Sequence, residues 1–167
     1  MDTQNTTINT IGYFLLYRLT NVRGYVGALF VTDNDGVPRE FKCTEAIKPS
    51  LIQLSLYGEK LEPHIAIKLC VVPLLQKIDC KPDILFVNEL PFLAVREHID
   101  IPALFIQRPN NVSDDIQPSI VLMPYSRYES DKNDELIQQT CRFDLLEPFD
   151  RIQHAVTLLG EKDERFR

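Results

Sequence analysis

Two short apolar runs constrain this chain more than anything else in it: "ILFV" at residues 84–87 and "IPALFI" at residues 101–106. A strand that is apolar without alternation is covered on both faces, the condition of a central strand in a parallel sheet. Between the runs, "LPFLAVREHI" reads as a short helix, so strand, crossover and strand follow one another within about two dozen residues. Such a βαβ unit is right-handed in nearly all known cases and requires a helical layer against the sheet. The expected class is α/β.

The N-terminal part has a different rhythm. "GYFLLYRL" (12–19) is aromatic and aliphatic, as a strand buried on both faces would be, and "YVGALFVT" (25–32) reads as a second strand in which Gly27 marks a bulge or a close approach. "VPREFKC" (37–43) alternates Val37, Phe41 and Cys43 with Pro38, Glu40 and Lys42, and Pro38 places it at an edge. The turn "VTDNDGVPREF" resembles the start of a calcium loop. Setting Gly36 as the loop glycine, however, puts Val31 at the first ligand position and Lys42 at the last, and neither can ligate. Asp35-Gly36 is a hairpin turn instead, so the three strands form an antiparallel meander.

From residue 49 to 78 the periodicity is helical, with a stop at Gly58, a resumption at Pro63 and a kink or division at Pro73. Ile65, Leu69 and Val72 line one face and Ile67, Val71, Leu74 and Ile78 another, and a helix apolar on most sides is a buried one. "SIVLMPY" (119–125) reads as a sixth strand. "EPFDRIQHAVTLLG" (147–160) is a closing helix, opened by Pro148, striped by Phe149, Ile152, Val156 and Leu159, and ended by Gly160. "LIQQTCRF" takes no assignment. A chain of 167 residues buries most of its apolar surface in one core. The expected organisation is one α/β domain over 12–160 with flexible ends at 1–11 and 161–167: a mixed sheet with a three-stranded meander, helices, a parallel βαβ unit and a C-terminal helix.

That order of elements resembles the ribonuclease-H-like fold over most of the chain, and "PLLQKIDCKPDILFVNE" is similar to the helix-to-strand passage of the endonuclease V branch. The resemblance implies magnesium or manganese held by acids from the first strand, the first helical region, the end of the fourth strand and the last helix. Glu59 or Glu62 would serve from the helical region, Glu89 follows the fourth strand and Asp150 lies on the last helix. The first strand has no acid. Two cations rarely sit without several carboxylates, so this departure argues against metal-dependent cleavage.

Other chemistry is sparse. His64, His98 and His154 have no metal-ligand spacing, no metal site is expected, and the sequence has no GxSxG, GxxxxGK[ST] or GxGxxG. Parallel sheets place ligands beyond the carboxyl ends of their strands, where this chain carries Asn88 and Glu89 after one strand and Gln107 and Arg108 after the next. "PYSRYES" offers Tyr125, Arg127 and Tyr128, a combination enriched at protein interfaces.

A net charge of −6 opposes binding driven by phosphate neutralisation. There is no apolar run long enough to span a membrane, and the polar start lacks the regions of a signal peptide, so the cytoplasm is the expected address. Cys43, Cys70, Cys80 and Cys141 form no CxxC pair and read as reduced core thiols, and the sequons at Asn5 and Asn111 then have no role. The exposed edge at 37–43 leaves dimerisation by strand addition open, discouraged by Pro38 and the charged residues.

The expected function is therefore a non-catalytic subunit that binds a protein partner, without cofactor, with nucleic acid a disfavoured ligand. The alternatives are a divergent ribonuclease-H-like nuclease or phosphodiesterase using Glu62, Glu89 and Asp150 with magnesium or manganese, and a small-ligand sensor using Asn88, Glu89 and Arg108.

Overall fold

The computed structural model describes residues 7–107, 121–124 and 144–167. Its centre is a six-stranded mixed sheet in the order β3-β2-β1-β4-β5-β6, formed by β1 (Thr10–Arg18), β2 (Tyr25–Asp33), β3 (Pro38–Cys43), β4 (Ile84–Val87), β5 (Ala103–Gln107) and β6 (Val121–Pro124). β1 pairs antiparallel with β2 and parallel with β4, β4 pairs parallel with β5, and β6 returns antiparallel beside β5. The long connection from β3 thus crosses both β2 and β1 and places β4 on the far side of β1. The meander and the βαβ unit become one sheet, as the resemblance to the ribonuclease-H-like fold implies.

Alternation assigns each face. Phe14, Leu16, Leu29, Val31, Leu85 and Val87 pack beneath the helices that follow β3, while Tyr13, Leu15, Phe30, Phe86 and Leu104 face the C-terminal helix α4 (Glu147–Lys162) through Phe149, Ile152 and Val156. Burying one such side chain contributes about 1.5–3 kcal/mol, enough for three contacts to hold an otherwise polar helix in place. α4 continues past Gly160 to Lys162, where the Asp163 amide donates to Leu159 O. A short 3-10 turn, Glu164–Phe166, then brings Arg165 O within 2.6 Å of the Ala46 amide, so the last residues are tied to the body.

The first helical layer is segmented. Ser50 and Gln53 form a reciprocal capping box that starts α1 (Leu51–Tyr57), and Gly58, at φ 54°, ends it. A 3-10 turn (Gly58–Lys60) leads into α2 (Leu61–His64), two residues before the expected restart at Pro63. The helix then widens into a π-helical segment, Ile65–Val71, where the Val72 amide reaches back five residues to Ile67 O, before α3 (Val72–Lys77). Pro73 has no amide to donate, and the widened turn upstream of it absorbs that missing bond. Ile65, Ile67, Val71, Leu74 and Ile78 are buried as expected, but Leu69 is not, and α1 leaves Leu51, Ile52 and Leu56 exposed.

The turn after β2 settles the calcium question. Asp33 Oδ1 accepts the amides of Asp35 and Val37, each at 2.9 Å, and Gly36 takes φ 83°. Asp33 holds the turn itself.

Candidate functional site

β1 and β4 run parallel with Val87, the last residue of β4, beside Phe14, so β1 runs on to Arg18 beyond the end of β4. Arg18 ends β1 on the same face as Phe14 and Leu16, so its side chain rises toward α2. There it meets two acids from separate elements: Glu62 in α2 and Glu89, which follows β4. Arg18 Nε and Nη2 donate to Glu62 Oε1 and Oε2 at 3.1 and 2.7 Å, and Nη1 and Nη2 donate to Glu89 Oε1 and Oε2 at 2.8 and 3.0 Å. A single nitrogen, Nη2, is therefore shared by both carboxylates. Tyr25, the cross-strand partner of Arg18 on β2, donates its hydroxyl to Glu62 Oε1 at 3.1 Å.

These residues, with Arg23, Glu59 and Phe92, line an open crevice of about 700 Å³. The bonds to Glu62 and then Glu89 hold the Arg18 guanidinium well above its usual range. The Arg18 bonds lower the Glu62 carboxyl, while burial followed by the Glu62 contact raises the Tyr25 phenol. The side chains of Arg18, Glu62 and Glu89 remain 44, 40 and 32% exposed. Exposed ion pairs of this kind contribute only about 0–1 kcal/mol each, so the fork is specific in geometry yet exchangeable in energy.

Of the acids considered from sequence, the fold brings Glu62 and Glu89 together and sets Glu59 at the rim of the same crevice. Asp150 is a correction. It lies on α4, against the other face of the sheet, and the adjacent Arg151 donates to Gly36 O at 2.9 Å in the hairpin beside the start of β1, at the end of the sheet remote from Arg18. The strand-end group is also revised, since Glu89 lines the crevice but Asn88 and Gln107 do not. Asn88 Oδ1 is instead buried with no hydrogen-bond partner among the described residues. Arg108, Tyr125, Arg127, Tyr128 and Cys141 lie outside the described residues.

The described histidines do not converge. His64 packs on Tyr57 at 5.0 Å and His98 Nδ1 lies 3.3 Å from Lys68 Nζ. Among the described residues, no group of three or more His, Cys, Asp or Glu side chains has the arrangement of a metal site. Sequence reasoning missed Arg18 and Tyr25. The available signal was a lone charge closing a buried strand, in phase with Phe14 and Leu16.

No family model and no curated protein matches the chain. Among solved structures, Ciona intestinalis endonuclease V in complex with an inosine-containing DNA is similar at 12% identity and TM-score 0.46, over 80% of this chain and 57% of that one. Bacillus subtilis endonuclease V follows at 14% identity and TM-score 0.44, over 70% of this chain and 65% of that one. A Marinitoga piezophila Argonaute in complex with guide RNA is similar at 12% identity and TM-score 0.42, over 81% of this chain and 26% of that one. The chain thus spans less than two thirds of the length of each of these structures.

Two expectations are corrected on this finding. A non-catalytic subunit with a protein partner has no counterpart among these neighbours, and nucleic acid, which is bound in the Ciona endonuclease V structure, is no longer set aside as a ligand. Net charge is a property of the whole surface, and the crevice itself holds Arg18 and Arg23 beside Glu59, Glu62 and Glu89. None of the helices among the described residues is long and apolar enough to cross a membrane.

Proposed function

We propose that the chain acts on nucleic acid as a divergent ribonuclease-H-like nuclease or phosphodiesterase, with Glu62 and Glu89 as its acids in the crevice at the carboxyl ends of β1 and β4. The observation that carries this reading is the convergence of both Oε2 atoms within 3.0 Å of one positively charged nitrogen. Two carboxylates from separate elements thus face a single cationic position.

Glu62 and Glu89 are the acids that would hold a magnesium or manganese ion, although Arg18 fills the position between them and no third described acid joins them. They do not suit a pair, because β1 supplies no acid and Asp150 is at the far end of the sheet. Bound there, such an ion would neutralise phosphoryl charge and lower the pKa of a coordinated water. The chain's own side chains have separate tasks. Glu62 and Glu89 would hold the ion, Tyr25 fixes Glu62 through Oε1, and Arg23 would present positive charge to the phosphodiester backbone. The free thiols of Cys43, Cys70 and Cys80 suit a reducing compartment, which supports the cytoplasm as the place of action.

The test is cleavage of end-labelled single- and double-stranded DNA and RNA in manganese, with Glu89→Ala as control. Manganese-dependent cleavage that disappears in Glu89→Ala is the expected result. Binding without cleavage, or cleavage that persists in the variant, overturns the hydrolytic assignment.

A further inference from the structure

The three most exposed large apolar side chains among the described residues are Leu51, Leu56 and Ile52, at 82, 80 and 71%, and all three belong to α1. No residue of that helix is buried. We propose that α1 is the contact between two copies of this chain, packed antiparallel about a two-fold axis that passes between Gln53 and Leu54.

A helix of seven residues is too short to hold itself in water, and α1 is secured at its ends, by the Ser50–Gln53 capping box and by Gly58. Those caps fix a helix whose phase turns Leu51, Ile52, Ser55 and Leu56 to one side and Leu54 back onto the core. Adjacent exposed aliphatic side chains of this kind mark an association surface. The face carries no charge of its own, so it fits a second aliphatic face and not a polyanion.

Symmetry selects the occupant. An isologous contact needs a surface that complements itself, and α1 presents one. With the axis between Gln53 and Leu54, Leu51 lies opposite Leu56 of the partner subunit and Ile52 opposite the small Ser55, and each contact occurs twice. The same axis sets Lys48 opposite Glu59. Both side chains are exposed, and neither forms a hydrogen bond or ion pair with another described residue. The flanks of the patch thus carry opposite charges that the chain leaves unused, and pairing two copies head to tail joins them twice. Because Glu59 stands at the rim of the crevice, the pairing also brings a lysine from the second copy to that acid-rich opening.

The patch is small for a specific interface, so the expected dissociation constant is on the order of 10 µM. Sedimentation equilibrium of the full chain, loaded below and above that concentration, should show the average mass rising from 19.3 kDa toward twice that value. Leu56→Glu should weaken association by at least about tenfold while melting as the wild type does, because Leu56 already faces water in the single chain. Lys48→Glu, which sets like charges opposite each other, should weaken it by about tenfold, and Lys48→Glu combined with Glu59→Lys should restore it. A wild type that stays monomeric at every loading overturns the proposal and leaves α1 to a different occupant, whatever the variants do. A dimer that Leu56→Glu leaves intact overturns α1 as the contact. A double variant that associates as weakly as Lys48→Glu overturns the antiparallel pairing.

Discussion

Gly27 of β2 lies against Cys70 of the π-helical segment so closely that a methyl group on Gly27 would collide with Cys70 Cβ and stand 2.6 Å from its Sγ. The register of β1 with β2 runs through Gly27 without a bulge, so the glycine is required by the approach of the helix and not by its own backbone. Gly27→Ala should therefore destabilise the fold by about 1–3 kcal/mol, as overpacking of a closed core does. Cys70→Ala should not rescue it, because the colliding Cβ remains. A urea denaturation midpoint unchanged from wild type would show that the π-helical segment lifts freely from the sheet.

Tyr25 reports on the crevice itself. Its hydroxyl is the only described donor to Glu62 that does not come from Arg18, and Tyr25→Phe removes that bond while keeping the ring in the core. The expected cost is about 0.5–1.5 kcal/mol of stability, the net value of one such hydrogen bond. Equilibrium denaturation measures it, and a variant as stable as wild type would mean that water replaces the hydroxyl without loss.

Much of this architecture was legible because the runs at 84–87 and 101–106 are short, apolar and separated by a crossover, a pattern with few folded solutions. The hairpin at Asp35-Gly36 was legible for the same local reason. The π-helical widening was not, since apolar residues that satisfy a period of 3.6 over two turns satisfy a slightly wider turn as well. Glu40 and Lys42 read as a solvent face on an edge strand, yet Lys42 donates to Lys77 O at the end of α3 and Glu40 accepts from the loop that follows it, a choice made by the neighbouring helix. The site was half legible. Glu62 and Glu89 were found by asking which acids could converge, but Arg18 was passed over because that question looked for a carboxylate in the first strand. Its partners lie 44 and 71 residues away, a relation that only the placement of β4 beside β1 creates.

Glu40 supplies the pH prediction. Its carboxylate accepts the Cys80 amide at 2.7 Å and the Asp79 amide at 3.0 Å, tying edge strand β3 to the loop before β4. The Cys80 amide first, then the Asp79 amide and Lys42, hold this carboxyl below its usual range against the opposing effect of desolvation. The unfolded chain thus takes up the proton more readily than the folded one. The stabilisation is present above the ordinary glutamate value of about 4.3 and is lost as pH falls through the lowered folded value. Glu40→Gln should start less stable at neutral pH and lose less stability between about pH 5 and about pH 3. Parallel acid limbs for variant and wild type in thermal melts would refute the assignment.

Cys70, packed against Gly27, gives a chemical readout of that contact. The residue is fully buried, and burial pushes its thiol up to about 12, against smaller opposing effects of Thr44 and the Gly27 backbone. The thiolate is the nucleophile that attacks an alkylating reagent and displaces its halide, so in the folded chain at mildly alkaline pH Cys80, which is partly exposed, should be modified well before Cys70. Peptide mapping by mass spectrometry after a timed pulse of iodoacetamide resolves the two. Addition of urea past the unfolding midpoint should bring Cys70 to the rate of Cys80. Equal rates in the folded chain would mean that the π-helical segment opens locally without global unfolding, and that the Gly27 contact is broken in a state the protein visits under native conditions.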